Sequence, residues 1–132
     1  MPNFRMYNVL EHTAAVIRDF AADITQEGSE PPAVLIGLAP DTIRDLFSIS
    51  LGAGGSLEAG YAGSAIVHTI VDIHCRASTY ELLVDMIQAV LQGVAGWPAA
   101  TVMATDIAQP IALANGNAIE TTITIEVIDR IS

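Results

Sequence analysis

Between Ser64 and Leu91 the period of the hydrophobic pattern changes once. From Ser64 to Arg76 it repeats every two residues. Positions 65, 67, 69, 71, 73 and 75 form one face, apolar except for Thr69, and Ile66, His68, Ile70, Asp72 and His74 form the other, mixed face. A two-residue period marks a half-buried strand. Ser78-Thr79-Tyr80-Glu81 comes next and fits a capping box, a hydroxyl followed three positions later by Glu. The helix predicted after it sets Tyr80, Leu83, Val84, Ile87, Val90 and Leu91 on one stripe.

The same reading extends to the rest of the chain. Met6, Val9, Leu10, Thr13, Val16, Ile17, Phe20, Ala21 and Ile24 recur at three- and four-residue steps, predicting a first helix over about Asn3 to Ile24. Glu11, Arg18 and Asp19 lie opposite, and Gly28 with Pro31-Pro32 ends the segment. Ala33 to Leu38 reads as a strand and Ala39-Pro40-Asp41 as a turn. Asp41 to Leu51 suits either a helical turn or a strand, and a strand from about Arg44 to Leu51 is favoured. Leu51 to Gly63, with five glycines, reads as a loop joining two antiparallel strands. Past the second helix, Gly93 is a candidate C-cap and Gly96-Trp97-Pro98 a turn. Thr101 to Ile107 and Pro110 to Ala114 read as short strands, and Asn115-Gly116 as a hairpin turn. In the last strand, Ala118 to Ile131, Ile119, Thr121, Ile123, Ile125 and Val127 oppose Glu120, Thr122, Thr124 and Glu126. The order predicts a single α+β domain over 1–132, an antiparallel or mixed sheet flanked by two main helices.

Composition narrows the function classes. At 132 residues and 52% hydrophobic, the chain builds a core without metals or disulfides. Its longest apolar run, Ala33 to Ala39, is far below the roughly 20 residues of a membrane span. Met1-Pro2-Asn3-Phe4-Arg5 offers no apolar segment of a signal peptide. Cys75 is the single cysteine and sits on the apolar strand face, which predicts a buried thiol and a reducing place of synthesis. Fifteen acids against five bases give a net charge of −10, and all five bases are arginine. Such a chain lacks the basic patch that holds a phosphate backbone.

Candidate chemistry is sparse. Gly52-Ala53-Gly54-Gly55-Ser56 lacks the Gly-Lys ending of a phosphate loop, and the chain has no lysine to supply it. His68 and His74 share a strand face but stand roughly 20 Å apart, too far for one ion. Asp72 and His74 alone fall short of the four ligands of a structural zinc site. No serine stands between the glycines of Gly60-Tyr61-Ala62-Gly63, so the nucleophile elbow is absent, and Cys75 has no adjacent base. No enzymatic activity and no cofactor are expected. Trp97 reads either as a cap over the core end or as an interface anchor.

The strand-to-helix segment Ile70-Val71-Asp72-Ile73-His74-Cys75-Arg76-Ala77-Ser78-Thr79-Tyr80-Glu81-Leu82-Leu83 resembles tail terminator proteins of long-tailed bacteriophages, also called tail-completion or tail-to-head joining proteins. The N-terminal helix, the glycine-rich loop before the long strand and the final alternating strand match in order and length. The resemblance implies a virion protein of the tail neck, assembled in the host cytoplasm. It implies a homohexameric ring on the head-proximal end of the tail tube, between the tail tube protein and the head-completion (stopper) protein. DNA would pass through its channel without specific binding, and no membrane is involved. On that resemblance Gly54, Gly55, Leu57, Glu58 and Tyr61 fall in a contact loop. Arg44, Arg76 and Arg130 become candidates for bridges between subunits, with Trp97 at the interface and the polar faces of the two long strands toward the lumen or a neighbour. The alternatives are another neck, connector or tail-tube-associated protein, and a small-molecule-binding α+β domain.

Overall fold

The computed structural model describes residues 6–24, 31–37, 45–54, 56–59, 65–96, 101–112 and 118–131; for 6, 56–59, 101–105 and 130–131 it describes the backbone alone. The elements in chain order are α1 (Met6–Ala21), β1 (Ala33–Ile36), β2 (Leu46–Leu51), β3 (Ser56–Ala59), β4 (Ala65–Ala77), α2 (Tyr80–Ala95), β5 (Thr101–Ile107), β6 (Ile111–Ala112) and β7 (Ile119–Ile131).

The two long alternating segments, β4 and β7, find each other. They pair antiparallel over their full length, from Ala65 opposite Ile131 to Ala77 opposite Ile119. Each then carries two shorter strands on its outer edge. β2 and β3 both run antiparallel to β4, along 71–76 and 65–68 respectively. β5 and β6 both run antiparallel to β7. β1 closes one side by pairing parallel with β2, so the sheet is mixed.

Both helices lie on one face of this sheet. Val9, Leu10, Ala14, Ile17 and Ala21 of α1 join Leu82, Leu83, Met86 and Val90 of α2 in one core cluster. The sheet contributes Phe47, Ile49, Val71, Ile73, Cys75, Ile123, Ile125 and Val127, all fully or almost fully buried. Each such side chain contributes about 1.5–3 kcal/mol by leaving water. The alternation predicted for β4 and β7 holds residue by residue, with the odd-numbered positions from Val67 to Ala77 and from Thr121 to Val127 buried.

Four expectations change. The Leu51–Gly63 loop contains a strand: Ser56–Ala59 continues the β2 side of the hairpin after a break, with Ser56 opposite His68 while Leu51 is opposite Val71. Four residues on one side thus face two on the other, and Gly52 lies where a Cβ would come within 2.7 Å of Ile70 Cγ2. The N-cap of α2 is Thr79, not Ser78. Thr79 is extended (φ −132°, ψ 155°) and its hydroxyl accepts from Leu82 N at 3.2 Å. The Ser78 backbone N–H donates instead to Asp45 Oδ1 at 2.8 Å, tying the start of β2 to the end of β4.

The buried stripe of α2 is Leu82, Leu83, Met86, Ala89, Val90 and Gly93, and Tyr80, Val84 and Leu91 are exposed. Gly93 is no C-cap. The helix runs through it to Gly96, whose N–H bonds the Gln92 carbonyl at 3.0 Å. Gly93 is the contact with α1, where a Cβ would stand 3.0 Å from Val16 Cγ1 and 3.5 Å from Phe20 Cδ2. The expected turns at 39–41 and 115–116 fall outside the described residues.

Two outcomes follow from this packing. Gly93→Leu forces α1 and α2 apart and costs about 1–3 kcal/mol, the range for overpacking a well-filled core, measured by urea unfolding. Cys75 is fully buried, and burial pushes its thiol up to about 12. It is expected to stay unreactive toward a disulfide reagent at pH 8 in the native protein and to react fully in denaturant.

Candidate functional site

The sheet face away from the helices holds the densest cluster of polar chemistry among the described side chains. Pairing β4 with β7 merges their polar faces into one surface, because residues directly opposite share a face. Along it the strands exchange a row of cross-strand contacts. Arg76 Nε meets Glu120 Oε2 at 3.3 Å, and His74 Nδ1 lies 2.8 Å from Thr122 Oγ1. Thr124 Oγ1 donates to Asp72 Oδ1 at 2.9 Å. These three pairs are direct partners in the ladder. The fourth is diagonal: His68 Nδ1 reaches Glu126 Oε1 at 2.5 Å, because Ile128 stands opposite His68 and Ile70 opposite Glu126.

These contacts are half-buried, with Arg76 and His68 more shielded than Glu120. Each contributes modestly, on the order of 0.2–1 kcal/mol, as cross-strand pairs do. Their larger effect is on register. A slip of one residue would carry Asp72, His74 and Arg76 under the helices. Toward β1 the same face closes over: Leu46 and Ser48 point to it, opposite Arg76 and His74, yet both are fully buried. Ser48 Oγ is satisfied there by the Gly37 carbonyl.

The described side chains of this face include four carboxylates (Asp72, Asp106, Glu120 and Glu126) against one guanidinium, Arg76. The surface is anion-repelling. Among the described residues no group of three or more His, Cys, Asp or Glu is placed to hold a metal. A separate open cleft of about 250 Å³ lies between the helices, lined by Phe20, Asp23, Ile24, Asp85, Gln88, Ala89 and Gln92. It is below the usual 300–1,000 Å³ of small-molecule sites. Among the described residues no helix is long and apolar enough to cross a membrane.

The residues singled out from sequence scatter in part. Arg76 is on the polar face near the end of the β4–β7 ladder, already paired with Glu120 within its own chain. Arg130 lies opposite Ile66, and Glu58 lies opposite Ile66 from the other side, so the three share one row of the ladder. Leu57 lies opposite Val67. Gly54 is exposed at the break between β2 and β3 with φ +96°, a conformation L side chains rarely adopt. Gly55, Tyr61, Arg44 and Trp97 lie outside the described residues. The partners on β7 carry half of the surface, and the equal two-faced patterning of β4 and β7 was the signal that they belong together.

Asp129 is the described carboxyl that the fold disturbs. It lies opposite Val67, on the helix side of β7. Burial raises its pKa above the ordinary 3.8, and the nearby His12 pulls it down by less. A raised carboxyl favours the fold while it is protonated, so this contribution is present below the unfolded value and is lost as pH rises through the folded one. Asp129→Asn is therefore expected to lose less stability than the wild type as pH rises above the ordinary carboxyl value of 3.8. Thermal melts of both proteins across a pH series above that value check the difference in slope.

No protein-family model matches the chain, and no curated protein matches it. Among solved structures it is similar to a chain of a structure described as "Virion of native gene transfer agent (GTA) particle", with 12% identity and a TM-score of 0.43 over 93% of this chain and 90% of that one.

Proposed function

We propose that this chain is a structural protein of a phage-type particle that forms a homohexameric ring at the head-proximal end of a tail tube. It ends tube growth and presents a surface to the head-completion protein. The observation that carries this reading is the order of elements the resemblance rests on: an N-terminal helix, a glycine-bearing arm, a long alternating strand running into a capped helix, and a closing alternating strand. The polar face supports it. A sheet whose two described helices lie on one side and whose other side is rich in carboxylates suits a channel wall along which DNA slides without being held. The contact assigned to the loop takes a sharper form, since β3 pairs with 65–68 of β4. Removing 53–59 would also bare the outer edge of β4 at 65–68, so the test belongs on the intact chain.

The experiment is the solution mass of the purified protein by light scattering, with negative-stain images of the same fraction alone and with tail tubes. The expected result is a ring of about 83 kDa, six copies of the 13.9 kDa chain, with a central hole and seated on one end of the tube. A protein that stays monomeric and leaves tube ends bare overturns the reading.

A further inference from the structure

We propose that copies of this chain associate side by side and head to tail, the α2–β5 flank of one copy against the α1–β1 flank of the next. The proposal deepens the ring reading and rests on it for closure into a ring; the contact itself rests on what the two flanks expose.

On the first flank, Tyr80, Val84 and Leu91 are 60%, 43% and 36% exposed, and Ile87 between them is half-buried. At helical spacing these four make one stripe, i, i+4, i+7, i+11. It points away from α1, because the α1-facing side of α2 is Ala89 and Gly93. α2 lies against β4, β7 and β5, so the stripe overhangs the β5 side of the sheet. Ile107 at the end of β5 is 44% exposed. β5 pairs with β7 on one side and with no strand on the other among the described residues.

The second flank is the opposite edge. β1 is Ala33-Val34-Leu35-Ile36, wholly apolar and only half-buried, and among the described residues it pairs with β2 alone. Arg18 reaches over it from α1, its Nη2 donating to the Val34 carbonyl at 3.3 Å. Tyr7, 48% exposed, is eleven residues from Arg18, so three turns bring both to the same side of the helix. This flank therefore offers an apolar strand edge, an aromatic ring and an exposed guanidinium.

The occupant follows from charge. Both broad surfaces are acidic: Glu11, Asp19, Asp23, Glu81 and Asp85 are exposed on the helix side, and the far face carries the carboxylates described above. At a net charge of −10, copies repel face to face. Of the large apolar side chains exposed among the described residues, Tyr80, Val84, Leu91 and Ile107 lie on the first flank and Tyr7 on the second, with Leu51 on β2 and Ile111 on β6, and the exposed Arg18 of the second flank is opposite in charge to the exposed Asp106 at the β5 edge. The flanks are different surfaces on opposite edges of one sheet, so the contact is heterologous, the kind that builds rings or filaments rather than two-fold dimers.

The test uses two full-length variants at positions that are exposed, Val84→Arg with Leu91→Arg on the first flank and Tyr7→Arg on the second, so that the two altered flanks repel each other, checked for folding by circular dichroism. Masses are measured by sedimentation at about 100 µM, since association depends on concentration. The wild type is expected to be larger than a monomer and each variant a 13.9 kDa monomer. An equimolar mixture of the two variants is expected to give a dimer of about 28 kDa and nothing larger, because one intact contact remains per pair. A monomeric wild type, variants of wild-type mass, or a mixture that stays monomeric overturns the proposal. A six-membered ring that ignores both variants removes the flank contact and leaves the ring, whereas an open filament dissolved by them keeps the contact and removes the ring.

Discussion

Everything in this structure hangs on the pairing of β4 with β7. The two thirteen-residue strands run antiparallel without a register break and are fixed from both sides at once. On the helix side, Val71, Ile73 and Cys75 stand beside Ile125, Ile123 and Thr121 under α1 and α2. On the other side the pairs Arg76–Glu120, His74–Thr122 and Asp72–Thr124 meet only in this register. Apolar burial supplies most of the free energy, and the polar row removes the alternatives. The shorter strands then have edges to add to, and both additions are broken: β2 and β3 by 52–55, β5 and β6 by 108–110. At the first break Gly52 leaves no room for a Cβ beside Ile70 and Asp72. At the second, Ala108 is tied to β7 by its N–H to the Thr122 carbonyl and by the Thr121 hydroxyl to its own carbonyl.

Period was the part of this fold that the chain displays openly. The alternation of β4 and β7 and the three-to-four spacing of α1 survive into the structure because each element buries one face only, so the pattern and the packing agree. β5 falls where Thr101 to Ile107 was expected. α2 fails that condition. Leu82, Leu83, Val84, Met86, Ile87, Ala89, Val90 and Leu91 make it apolar over most of its circumference, so several stripes fit the spacing equally well. What decides among them is tertiary. α1 approaches at Gly93, where the missing side chain admits Val16, and the helix turns its small residues toward that contact.

The other differences between pattern and structure have local causes. Two adjacent hydroxyls compete for the N-cap. The Glu three residues on favours Ser78 by pattern, but the backbone is still extended at Thr79, and the Ser78 N–H is held by Asp45, 33 residues away in sequence. β3 has four residues among glycines, too few for a period to show, and exists because β4 offers it an edge. The candidate surface was legible as composition and not as geometry. His68, Asp72 and His74 could be set on one face from parity, and so could Glu120 to Glu126. Which residue meets which depends on the register of strands more than forty positions apart, which parity leaves open to every even shift.

The distribution of surface chemistry ties fold to assembly. A sheet covered by helices on one face alone must make its other face polar or find it a partner. Here much of that face is bonded within the subunit, His68 Nδ1 to Glu126, His74 Nδ1 to Thr122 and Thr124 to Asp72. The outer helix surface is acidic and equally content in water. Among the described residues, two flanks expose apolar surface: a stripe on α2 above one edge, and an apolar strand at the other with Arg18 over it. The proposed side-by-side contact would cover both flanks at once. In a ring built that way the long β4–β7 ladder, about 40 Å from end to end, would present its fixed polar row along a common wall. The interactions that hold the subunit in register would then also set the charge of the surface that a passing polyanion meets.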